Sequence, residues 1–152
     1  MIGNVQQKYL WGLAEKYFFD EDANGARQIA SDLVSKNTFA STEFETDIIE
    51  MSLDANDATA RAFSVKCLRT GVFPAGQHAE LVAILLYKSL LSEREAYELL
   101  KDSQFALSMC DQERLKKLSD VVWLLTEDEK RGVPATSDSL LEEVLLSIAK
   151  AR

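Results

Sequence analysis

Apolar positions recur along this chain at the three-to-four-residue spacing of a helix with one inward face. Val5, Leu10, Leu13, Ala14, Tyr17 and Phe18, with Tyr9 and Trp11 alongside, predict a first helix over Asn4–Phe18. Ile29, Ala30, Leu33 and Val34 predict a second, roughly Ala26–Lys36, capped by Asp22 or Asn24 and ended at Asn37. Phe44, Ile48 and Met51, widened by Ile49 and Leu53, predict a third. Ser41 and Thr42 open it, and Thr42-x-x-Glu45 has capping-box spacing. Ala60, Phe63, Cys67 and Leu68 mark a fourth, begun by Asn56 or Asp57 and closed at Thr70-Gly71.

The segment Gln77–Asp102 is read as the one that organises the chain. From Leu81 to Tyr87 it is apolar on every side, the mark of a buried helix, and Ala79–Leu91 is read as the central one. Ser92-x-x-Glu95 marks a break into a further helix, Glu93–Lys101, with Ala96, Tyr97, Leu99 and Leu100 inside. Gln104–Met109 reads as a short helical turn. Asp111 caps a long helix, Gln112–Arg131, on a seam of Leu115, Leu118, Val122 and Leu125 supported by Val121, Trp123 and Leu124. Gly132 and Pro134 end it. Ser137 or Ser139 opens the last helix, with Leu141, Val144, Leu145 and Ile148 inside, running to about Lys150.

No stretch alternates with period two over a useful length, so no sheet is expected. The fold class is all-α: an irregular bundle of seven to eight helices around Ala79–Leu91. Stacked helix pairs of α-solenoid type are the variant, although no repeat supports them. With 152 residues the chain is read as one helical domain over 1–152. Only 2 prolines and 6 glycines occur, which favours helices on short loops.

Charge narrows the function classes. The net charge of −8 argues against nucleic acid and against an anionic membrane surface, and permits a basic partner. Cys67 and Cys110 do not form a disulfide framework. The N-terminus lacks the basic and apolar regions of a secretory signal, so a cytoplasmic location is expected.

Candidate chemistry is sparse. The single histidine, His78, is read as a cap-region residue with a wet tip, and pairing it with Cys67 or Cys110 needs a low-pKa, accessible thiol. His78-Ala79-Glu80 matches half of the zinc-deaminase pattern, but the P-C-x-x-C half is absent. No phosphate-binding, dinucleotide or zincin motif occurs. Asp20-Glu21-Asp22-Ala23-Asn24-Gly25 resembles the opening of an EF-hand calcium loop over six residues. The likeness stops there, because the eighth position is Arg27 and the twelfth, where a bidentate glutamate belongs, is Ser31. The segment is read as a turn and helix cap. The expectation is therefore a protein that is not an enzyme, with neither metal nor cofactor.

The most unusual feature is the run Thr38–Ala60, which holds Glu43, Glu45, Asp47, Glu50, Asp54 and Asp57 and no lysine or arginine. Glu43, Asp47, Glu50 and Asp54 fall at i, i+4, i+7 and i+11, expected as one stripe opposite Phe44, Ile48 and Met51. Like charges at this spacing cost a few tenths of a kcal/mol each, with no evident folding benefit. They read either as a solvated face or as a recognition surface, in which Glu43, Asp47, Glu50, Asp54 and Asp57 would meet a basic protein, with Phe39, and Phe73 from a later loop, as candidate apolar anchors or core residues. Small acidic immunity or inhibitor proteins that neutralise nuclease-type toxins share this composition, without any shared motif. The alternative is a helical adaptor or regulatory subunit that binds through an apolar groove.

Overall fold

The computed structural model describes residues 4–36, 43–103, 113–132 and 138–151. These hold eight α-helices and no strand. The helices are α1 (Asn4–Phe18), α2 (Ala23–Lys36), α3 (Glu45–Leu53), α4 (Asp57–Thr70), α5 (Ala75–Tyr87), α6 (Glu93–Lys101), α7 (Glu113–Lys130) and α8 (Asp138–Ala151). The chain is thus all-α. Asn37, Phe39, Ser41, Thr42, Gln104–Met109, Cys110, Asp111, Pro134 and Ser137 lie outside the described residues. The chain forms two compact units, Met1–Phe73 and Pro74–Arg152.

In the first unit α2 packs on α1 and α3, and α4 on α1 and α3. Leu13, Phe18, Phe44, Met51 and Phe63 fill its interior. Trp11 is buried as well, its ring edge-on to Phe73 with centroids 5.3 Å apart. Phe73 is thus core and is not available as an anchor for a partner. Asp22, rather than Asn24, caps α2: its Oδ1 accepts from the Gly25 amide at 2.8 Å. The helix accordingly starts at Ala23, ahead of the expected Ala26. Gly25 matters here, since a Cβ would lie 2.4 Å from Asp22 Oδ2 and 2.6 Å from Lys16 Cε. Asn56 caps α4 through a reciprocal pair with Thr59, and Gly71 closes it in the left-handed conformation at φ 69°.

In the second unit α5 packs chiefly on α8 and also on α6, while α7 packs on α6 and α8. Leu81, Val82, Ala83 and Leu85 are fully buried, as an all-apolar helix requires. Two details differ from expectation. The helix spans Ala75–Tyr87, not Ala79–Leu91, because the chain turns at Ser89 with φ 60°. Tyr87 is half exposed, so the all-round burial ends at Leu85. The Ser92–Glu95 capping box forms and sets the start of α6. On α7 the seam Leu115, Leu118, Val122 and Leu125 is buried, but Trp123 and Leu124 point outward. Their positions fall between the turns of that seam, so they cannot share its face.

Candidate functional site

The acidic segment was expected to form one stripe, and the structure splits it in two. At about 100° per residue, Glu43, Asp47, Glu50 and Asp54 centre roughly a quarter-turn from Phe44, Ile48 and Met51, not opposite them. The stripe therefore lies along one flank of α3. Asp47 on its inner edge is buried against α4, while Glu43, Glu50 and Asp54 are exposed.

Asp47 lies on the inner edge. It is 9% exposed, flanked by the buried Ile48 and Met51. Its Oδ2 lies 3.7 Å from Lys66 Nζ on α4 and accepts no hydrogen bond among the described residues. Glu43 accepts from the Thr70 hydroxyl at 3.3 Å. The two acids line a shallow groove of about 400 Å³, whose α4 wall carries Arg61, Lys66 and Arg69. The cations absent from Thr38–Ala60 are thus supplied by the next helix, and this half of the stripe is internally matched. Cys67 lies behind it, fully buried. Burial, then the nearby Asp47 and Glu43 carboxylates, push its thiol well above the ordinary value, the reverse of what a nucleophile needs.

Asp57 is also engaged. It stands in the first turn of α4, where the helix dipole favours an acid, and accepts from the Tyr17 hydroxyl of α1 at 2.7 Å. Burial and this bond hold the Tyr17 phenol above its usual range. Phe39 lies outside the described residues.

Glu50 and Asp54 are the acids that no neighbouring helix engages. Both are exposed, and neither makes an ion pair among the described residues. Beside them are two residues whose apolar character assigned them to the inner face. Ile49 is 36% exposed and Leu53 77% exposed, so both point to solvent. The same helical angle accounts for this: Leu53 lies nearly diametrically opposite the Phe44–Ile48–Met51 stripe. The angle between residues is the signal that places an aliphatic pair inside the acidic patch, and polarity alone does not carry it.

His78 has no wet tip. It is 2% exposed, and its Nε2–H donates to the Leu99 carbonyl of α6 at 2.9 Å. Burial lowers its pKa below the ordinary 6.5. It ties α5 to α6, with the ring nitrogen used in a structural bond.

A polar network that no local motif announces joins α6 to α7. The Tyr97 hydroxyl donates to Glu129 Oε2 at 2.8 Å and lies 3.2 Å from Thr126 Oγ1. Arg94 and Lys101 stand near the Tyr97 ring, 5.4 and 5.6 Å from its centroid, and both pair with Glu98 and Glu129. The Tyr97 bond, then the two cations, hold the Glu129 carboxyl below the usual range. Every charge in the cluster is answered within it, which marks a clamp between helices. A groove of about 690 Å³ between α7 and α8 has Leu140 and Val144 among four charged side chains, Glu113, Arg114, Lys117 and Glu143. Asp20 and Asp22, in the calcium-like segment, lie within 4.0 and 3.5 Å of Lys16 Nζ, and Asn24 lies inside α2.

No family model matches the chain, and no curated protein or solved structure matches it either. Among the described residues no helix is long and apolar enough to cross a membrane.

Proposed function

We propose that this chain is a non-catalytic binding module that holds or blocks a basic protein partner through the outer face of α3. The observation that carries the proposal is the exposed pair Glu50 and Asp54, unanswered by any described cation, whereas the acids on the inner edge are matched by α4. A soluble fold gains nothing from like charges one turn apart. A docking surface gains encounter rate and register from them. A nuclease-type toxin domain is the kind of basic partner this composition suits. Asp47 is removed from the recognition set, because its burial and its Lys66 partner give it a folding role.

The test is affinity capture from an extract of the native host with the wild-type chain and with E50K/D54K, read by mass spectrometry. The expected result is a basic protein retained by the wild type, released by added salt and lost with the variant. Equal retention by both forms, unchanged by salt, would sink the proposal. The adaptor reading has less support: the α7–α8 groove is rimmed by charge and offers only two aliphatic side chains.

A further inference from the structure

The outer face of α3 carries an aliphatic row with two acids next to it. Ile49 and Leu53 form an aliphatic row at i, i+4, and beside it stand Glu50 and Asp54, the latter the extended C-cap residue that follows the helix. The aliphatic row spans about 6 Å along the axis. Neither aliphatic side chain joins the core. The last turn of α3 contains no basic residue, so the negative end of its dipole adds to the two carboxylates instead of being offset. From that pattern we infer that α3 docks an amphipathic basic segment of the partner, with aliphatic side chains on Ile49 and Leu53 and ammonium or guanidinium groups on Glu50 and Asp54.

Charge selects this occupant over the others. A nucleic acid or an anionic lipid surface would place phosphates against the carboxylates. A second copy of the chain docked face to face would place Glu50 and Asp54 against their own counterparts. A purely basic segment would leave Ile49 and Leu53 in water, and a purely apolar one would desolvate two carboxylates without bringing a cation to either. The inference rests on the reading of α3 as a docking face for a basic protein, and it adds where the apolar contact lies. Burial of aliphatic side chains adds affinity in proportion to the apolar area removed from water, while charges around them set rate and register.

The test uses two fluorescein-labelled helical peptides titrated into the full chain by anisotropy. One carries leucines at i, i+4 beside lysines at i, i+4, and the other replaces the leucines with glutamine at equal charge. The expected outcome is binding of the leucine–lysine peptide at low salt, about tenfold or more weaker for the glutamine–lysine peptide. A similar loss is expected with I49S/L53S and with E50K/D54K, each shown folded by circular dichroism, and amide resonances of Thr46, Ile49, Glu50 and Leu53 should shift on binding. Equal binding of both peptides, unaffected by I49S/L53S but abolished by E50K/D54K, would overturn this inference and leave the acidic docking face standing. Binding insensitive to E50K/D54K, binding that shifts resonances elsewhere, or no binding would overturn both. A concentration-dependent dimer of the chain alone, lost with L53S, would assign the face to a second copy and overturn the inference as well.

Discussion

Asp47 and His78 both look like surface residues in the sequence, and both are buried. Their substitution should separate them from their neighbours. Asp47→Lys places a second cation against Lys66 inside the first unit and should cost roughly 2–4 kcal/mol in urea unfolding. Glu50→Lys and Asp54→Lys, on the wet edge, should stay within about 0.5 kcal/mol of wild type. If Asp47→Lys were as neutral as these, its assignment to the inner edge would be wrong. For His78 the folded pKa lies below 6.5, so on acidification the unfolded chain takes up the proton first. Stability should hold above pH 6.5 and fall below it, until the folded state also protonates. The slope can reach about 1.4 kcal/mol per pH unit for one full proton. His78→Gln should flatten that segment of the profile, and an unchanged profile would show that the ring titrates normally. Neither burial could be seen in the sequence: polarity argues for the surface, and only the carbonyl of Leu99 or the ammonium of Lys66 makes the interior tolerable.

Where an element begins was legible wherever a cap was written locally. Ser92–Glu95 and Asn56–Thr59 satisfy orphan amides within three residues of chain, so no tertiary knowledge is needed to find them. Ser92→Ala should destabilise by about 1 kcal/mol, measured by thermal or urea unfolding, and should fray the first turn of α6 in hydrogen exchange. The faces of helices were legible only where the apolar stripe was narrow. On α3 and α7 every apolar residue was assigned inward, and Ile49, Leu53, Trp123 and Leu124 proved the assignment too wide. The 3.6-residue repeat forbids a nine-residue helix from hiding residues that lie on opposite poles. The α6–α7 clamp was not legible at all, since Tyr97 and Glu129 meet only through the packing of two helices. Tyr97→Phe should raise the Glu129 pKa toward its ordinary range, followed by NMR titration of the side-chain carboxyl.

At the scale of the whole chain, the acidity is not concentrated as the run Thr38–Ala60 suggests. Seven basic and eleven acidic residues up to Phe73 leave −4, and ten basic and fourteen acidic residues from Pro74 onward leave −4 again. The run stands out because its compensating cations, Arg61, Lys66 and Arg69, all come after it on α4. Only the uncompensated outer edge should therefore respond to salt, so E50K/D54K should remove most of the salt dependence of partner capture. The two tryptophans are divided between the units as well. Trp11 in the first is buried against Phe73, and Trp123 in the second is half exposed. Opening the first unit should move the emission of Trp11 to longer wavelength, while Trp123, already wet, changes little in colour at any stage. Intrinsic fluorescence then becomes a selective gauge of the unit that carries α3, and the spectral shift and the helical circular dichroism signal need not melt together.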